Sequence, residues 1–260
     1  MVLKKFSLNP KALTRPLLLV ALMWLGFLLQ YTGLLSTCQG ALIPLVPEGL
    51  KGVLFAPFLH GNLEHLTSNS LPIAVLVFLL YQFYPTLAWK VLATGWIAAG
   101  LLIWSIPPIA LFSQDSLPSC IVGASGIVYV LAFFLFFSGV IRKERHLMAI
   151  SLVVGFYYGS LIWGIFPEEF FYRLEEPSRI SWQSHLSGAL VGTTLAFVFR
   201  KRGSKRKRYI WEFPNYYNEK DDMLWQEFKA NSPELYQEMP QKKEDSIWKR
   251  LDKIRREDSE

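Results

Sequence analysis

The chain has 260 residues and a net charge of +6; 52% of its residues are hydrophobic and only 18% charged, with a mean hydropathy of +0.25. A soluble domain carries nearer a quarter charged residues, and here the apolar residues are gathered into long runs, which argues against a water-soluble globule. Nor is the positive charge a nucleic-acid footprint: its densest stretch, Arg200 to Arg208, directly follows an apolar run and reads as a membrane flank.

In chain order, six runs come close to the ~20 apolar residues that a bilayer core requires. They lie at Pro16–Leu34, His65–Tyr84, Leu87–Pro107, Ile121–Val140, Leu147–Phe166 and Ser184–Phe199. Backbone groups in lipid must be satisfied within their own segment, which predicts helices. None of the runs alternates with period two, which excludes lipid-facing strands. The expected fold is therefore an all-α membrane protein, a bundle of six transmembrane helices. The expected organisation is an N-terminal segment over 1–15, a six-span domain over 16–200 and a basic, then mixed-charge tail over 201–260. After the first run, Leu35-Ser36-Thr37-Cys38 faintly resembles a lipoprotein cleavage box. That run is long for a signal peptide and reads as a retained span.

The connecting segments set the orientation. Lys4, Lys5, Lys11, Arg15, Lys90, Arg142, Lys143, Arg145 and the run from Arg200 to Arg208 fall on one side, against Lys51, Arg173 and Arg179 on the other. The positive-inside rule then puts both termini in the cytoplasm of a multi-pass protein of the cell (inner) membrane. The first outward segment, Leu35–Glu64, is too apolar for a plain loop and too broken for a span, so it is expected in the interface. Pro167–Gln183 is long, charged and Pro-containing, as a mobile cap would be. With Gly155 and Gly159 loosening the fifth span, Phe156, Trp163 and Phe166 are expected either to seal it against the second or to face lipid and the interface, where Trp and Tyr are common. Cys38 and Cys120 both fall outward, where a disulfide is permitted. Sequence does not show their α-carbons within ~7 Å, so they are read as free thiols. In the tail, Ile247, Trp248, Leu251 and Ile254 make an apolar stripe at helical spacing, suited to a packed or membrane-resting helix.

Polar residues inside spans are expensive and point to function. Three groups stand out: His60 with His65 and Asn69 around the start of the second span, Gly123-Ala124-Ser125-Gly126 in the fourth, and His185-Leu186-Ser187-Gly188 in the sixth. The topology puts all three at one depth, in the outer half of the membrane, although they come from three helices. A serine hydroxyl barely ionises alone; an imidazole within reach can take its proton during attack. Ser125 and His185 are thus candidates for nucleophile and base. His65, Asn69 and the Ser125 N–H are candidate donors to a developing oxyanion. No carboxylate lies in the spans, so a dyad is expected rather than a triad.

These residues resemble the rhomboid family of intramembrane serine proteases. The family pattern is H-x4-H-x3-N on the second core helix, G-x-S-G on the fourth, and a His followed three residues later by Gly on the sixth. His60, His65 and Asn69, then Gly123 to Gly126, then His185 and Gly188 reproduce it in order. The likeness runs from Pro16 to Phe199. The Trp-Arg pair common in the family's first outward loop is absent.

The resemblance implies a rhomboid-like bundle cleaving transmembrane segments of protein substrates within the bilayer, with no cofactor and no metal. It implies Ser125 as nucleophile, His185 as base, and His65 and Asn69 at the oxyanion hole with Gly123 and Ala124 beside them. His60 would be structural, Tyr129 would stack on the His185 ring, and Gly188 would let the sixth span approach the fourth. The fifth span and its following segment would be gate and cap. The competing reading is a non-catalytic rhomboid-like protein that binds membrane helices; such relatives typically lack the Ser or the His. A histidine-box metal enzyme needs more ligands than four histidines provide, and a transporter would show internal repeats.

Overall fold

A computed structural model describes residues 8–36, 38–106, 120–167, 181–203 and 222–232. It divides into two units, Met1–Arg206 and Lys207–Glu260. In the first unit the helices are α1 (Pro10–Tyr31), the short α2 (Gly52–Phe55), α3 (Leu63–Phe83), α4 (Ala88–Ser105), α5 (Ser125–Arg142), α6 (Arg145–Tyr158) and α7 (Trp182–Val198), with 3-10 turns at Pro47–Lys51, Ala56–Phe58 and Gly159–Ile165. No strand occurs among the described residues; the one extended pairing is an isolated antiparallel bridge between Leu42 and Ile121. Among the described residues five helices are long and apolar enough to cross a membrane: α1, α3, α4, α5 and the continuous run Arg145–Ile165. The sixth, α7, has 17 residues. The protein is a multi-pass, all-α membrane protein.

Local chemistry sets the helix ends. The first span starts at Pro10, not Pro16, because Asn9 accepts from the Lys11 N–H and Pro10 takes a first-turn position that needs no donor. Asn62, Glu144 and Ser181 cap α3, α6 and α7 in the same way. The fourth span starts at Ser125 rather than Ile121: Ile121 is held in the bridge, and Gly123 at φ +109° breaks any helix ahead of it. Pro72 sits inside a continuous α3.

The centre of the bundle is α5, with 61% of its apolar window buried, against 17% for Arg145–Ile165 at the periphery. It packs on α3, α4, α6 and most extensively α7, while α1 lies along α3. At its C-terminal end, Arg142 does more than follow an apolar run. Its guanidinium donates to Ser138 Oγ at 2.9 Å and to the Phe199 carbonyl, and lies over the Tyr84 ring. One side chain thus ties the ends of α3, α5 and α7.

The first outward segment is folded rather than loose. The Trp96 and Trp104 indoles of α4 donate to the carbonyls of Val53 and Val46 at 2.7 and 2.9 Å, fixing the turns around α2 from below. Leu50, Leu54 and Phe55 remain exposed on it.

The cysteines correct the expectation of free thiols. Cys38 and Cys120 form a disulfide with α-carbons 5.4 Å apart, across a sequence separation of 82. The approach is created by the Leu42–Ile121 bridge, which brings the two segments side by side. Removing both sulfurs (Cys38→Ser with Cys120→Ser) should cost about 2–4 kcal/mol by the loop-closure argument. The membrane already restrains the unfolded chain, so the lower figure is expected. A thermal melt of the purified double variant against the oxidised protein measures it, and equal melting would contradict the account.

In the second unit, α8 (Met223–Asn231) is capped by Asp222, with Trp225 stacked on Phe228. The Ile247–Ile254 stripe and most of the proposed cap, Pro167–Gln183, lie outside the described residues.

Candidate active site

Ser125 opens α5. Ala124 holds the N-cap position with no side-chain acceptor, and Ile127 and Val128 both donate to its carbonyl. The N–H groups of Ser125 and Gly126 therefore belong to the first turn, which has no intrahelical acceptors, and the positive end of the helix dipole lies at the serine. Ser125 is half-buried. The Ala124 methyl, 2% exposed, belongs to the apolar core, so it is the backbone of this residue that borders the site.

The approach to Ser125 is pinned on one side. Ile121 exchanges backbone bonds of 2.9 and 3.0 Å with Leu42, and the Gly123 N–H donates to the Ala56 carbonyl at 2.9 Å. Gly123 is needed twice over. Its φ of +109° disfavours any side chain, and a Cβ there would lie 2.6 Å from Cε1 and Nε2 of His65. His65 thus rests directly against the loop that leads into Ser125.

His65 stands in the first turn of α3, its N–H held by Asn62 Oδ1 at 2.7 Å. One turn on, Asn69 is 5% exposed and donates one amide hydrogen to the His65 carbonyl at 2.8 Å. The NH₂ group has a second hydrogen to give. Behind them His60 is buried, with its ring edge-on to His65 at 5.1 Å. Its backbone N–H donates to Gln30 Oε1 of α1 at 3.0 Å, and both ring nitrogens are buried. Burial first, and the neighbouring His65 second, push its pKa down to about 4, so the ring is neutral at physiological pH.

His185 enters from the first turn of α7 and is 9% exposed. Its ring lies flat on Tyr129, with centroids 4.3 Å apart and planes within 9°. Tyr129 is one turn along α5 from Ser125, so the imidazole is stacked on the helix face that carries the serine. Nδ1 of His185 is 2.9 Å from the Gly164 carbonyl oxygen, in the 3-10 turn after α6. The closeness of α5 and α7 rests on glycine: a Cβ on Gly188 would strike the Gly126 carbonyl and come within 2.8 Å of the Tyr129 Cβ, and one on Gly192 would strike the Val130 carbonyl.

The sequence-selected residues thus gather at one end of the bundle, on α3, α5 and α7. Gly164 was missed, because its contact is made by a backbone carbonyl that any residue carries. Of the two expectations for the fifth span's aromatics, the seal against the second span is not the one found. Phe156 and Trp163 lie on the outer surface, 85% and 63% exposed, and α6 packs on α5, where a Cβ on Gly155 would meet the Phe136 ring at 3.1 Å. Aromatic rings on a lipid-facing surface carry no penalty. Among the described residues no cluster of three metal-ligating side chains occurs.

Comparison with known proteins gives a family. The model of the Rhomboid domain matches residues 47–202, a stretch that includes His60, His65, Asn69, Ser125, Tyr129, His185 and Gly188. Uncharacterized proteins of Mycobacterium tuberculosis and Mycobacterium bovis are each 38% identical over 188 residues, 71% of this chain and 74% of theirs. One of Mycobacterium leprae is 33% identical over 150 residues, 57% of this chain and 56% of its own.

Proposed function

The chain belongs to the rhomboid family, and on that premise we propose that it is a serine endopeptidase that cleaves transmembrane segments of membrane proteins, with Ser125 as nucleophile and His185 as base. The observation that carries this is the His185 ring stacked at 4.3 Å on Tyr129, one turn from Ser125. A helix-packing serine and an unrelated buried histidine would have no reason to share that face.

In the proposed reaction the Ser125 oxygen attacks the scissile carbonyl and its proton passes to Nε2 of His185. The new C–O bond forms as the carbonyl pair moves onto oxygen. The first-turn N–H of Ser125, the second amide hydrogen of Asn69 and the His65 ring are donors for that oxyanion. Its collapse breaks the C–N bond, and His185 returns the proton to the leaving amine. Water, activated by the same imidazole, then releases the acyl group. His60, buried and neutral, would support His65 rather than react.

Substrate and orientation follow from position. The site lies inside the outer half of the bilayer, so a peptide bond must leave its helix to reach Ser125. Segments with Gly, Ala or Pro near their outer end unwind at least cost. The shallow surface left by Gly123 and Gly126 favours a small residue before the cut. On this reading both termini lie in the cytoplasm; a disulfide between the two segments read as outward supports it, since such bonds persist in oxidising compartments.

Labelling of Ser125 by a fluorophosphonate, together with cleavage of a transmembrane test substrate in proteoliposomes, tests the proposal. Binding of membrane helices with neither labelling nor cleavage would favour the non-catalytic reading. Asn69→Ala should lower kcat by roughly 10²-fold or less, because other donors remain. Unchanged kcat would remove Asn69 from the oxyanion hole.

A further inference from the structure

A histidine can serve as base for a serine only in one tautomer. The lone pair must sit on the nitrogen that meets the hydroxyl, with the proton on the other. Soluble serine hydrolases fix this with a buried carboxylate on Nδ1. No Asp or Glu is buried among the described residues, yet Nδ1 of His185 lies 2.9 Å from the Gly164 carbonyl oxygen. A carbonyl only accepts, so Nδ1 must donate, and the lone pair is left on Nε2. We propose that Gly164 is a positioning residue for the base: its main-chain carbonyl holds His185 in the Nδ1–H tautomer, and it does so from the least buried wall of the bundle. This rests on the reading of His185 as general base.

Three observations converge on this contact. The stack on Tyr129 fixes the plane of the imidazole but equally accepts the ring flipped by 180° about Cβ–Cγ; the Gly164 carbonyl selects the flip that faces it with Nδ1. The position also tolerates no side chain. A Cβ on Gly164 would run into the Tyr129 hydroxyl and come within 3.2 Å of His185 Nδ1, so carbonyl and ring meet only if the residue is glycine. Finally, the 3-10 turn Gly159–Ile165 that presents the carbonyl buries no residue fully, and the run Arg145–Ile165 has the smallest buried share of the five long spans. Nδ1–H keeps this acceptor as the imidazolium forms.

The test is the protonation pattern of His185, read by nitrogen NMR on the full-length protein with ¹⁵N-labelled histidine in nanodiscs, with a His185→Asn sample to assign the signal. In the wild type the proton is expected on Nδ1 with Nε2 unprotonated. Gly164→Ala should give a mixture of tautomers and lower kcat by about 10- to 100-fold with KM changed much less, in line with the loss of one orienting hydrogen bond. Should that variant fold poorly, replacing the Gly164–Ile165 amide by an ester weakens the same acceptor without adding an atom, and should move the tautomer ratio in the same direction. A wild-type proton on Nε2, or wild-type kcat in Gly164→Ala, would overturn the proposal. The NMR readout needs no turnover. A protein that shows the Nδ1–H tautomer but no fluorophosphonate labelling of Ser125 would therefore refute the protease reading and leave the carbonyl contact standing.

Discussion

Ser125→Ala is expected to reduce cleavage of a transmembrane substrate by at least about 10⁴-fold, to the limit of detection, and to abolish fluorophosphonate labelling, while leaving the melting temperature close to that of the parent. The size of the effect follows from the mechanism: without Oγ there is no acyl-enzyme, and the remaining donors can only assist attack by water, which is far slower. Stability should hold because Ser125 is half-buried at a helix start, where its backbone N–H survives the change. His185→Asn should fall to a comparable level, since the two groups act as a unit and their losses do not add. Chelators should leave the wild-type rate unchanged. The measurement is initial-rate cleavage in proteoliposomes beside a thermal melt of the same preparation. Substantial turnover in Ser125→Ala would falsify the assignment, whatever happens at His185.

The second large effect is structural. Gly188→Val should destabilise the protein by about 3 kcal/mol or more and remove activity with it. Overpacking a flexible side chain costs about 1–3 kcal/mol. Here the new atoms would strike the Gly126 carbonyl, which is backbone and cannot rotate away. Helices α5 and α7 would have to separate, carrying His185 from the face of Ser125. Leu190→Ala is the control. It lies on the same helix but is 54% exposed, so trimming it should shift the melt little. A Gly188→Val protein that melts and cleaves like the parent would mean that the two helices are not held as close as described.

The helices were legible because lipid allows the backbone so few solutions: a long apolar run must become a helix whatever its details. The candidate site residues stood out for a related reason. Histidine, asparagine and serine within apolar runs are costly enough to stand out, and the spacing that sets His65 and Asn69 on one face is local. What failed was information held between distant segments. The pairing of Cys38 with Cys120 depends on how the chain between them returns, and no composition of that stretch announces it. Phe156 and Trp163 illustrate a second limit. In water an exposed aromatic is a clue, but beside lipid it is neutral, so bulk alone could not decide between a seal and a lipid-facing wall. The start of α5 at Ser125 turned on the positive φ of Gly123, and one glycine in an apolar run looks like any other. Gly164 is the extreme case, since its part is played by an atom that every residue possesses.

The bond between Cys38 and Cys120 also has a topological meaning. It converts residues 38–120 into a covalent ring threaded twice through the bilayer, by α3 and α4, with the segments bearing Ser125 and His185 hanging from one end. A single cut between Gln39 and Ser119, whether by an outside protease or by another copy of this chain, opens the ring but releases nothing. The two pieces still migrate as one molecule on a denaturing gel until a reductant is added. A cut beyond Cys120 separates fragments at once. Comparing reduced and unreduced gels of a partly digested sample therefore reports on which side of the ring the chain was cut, without sequencing any fragment.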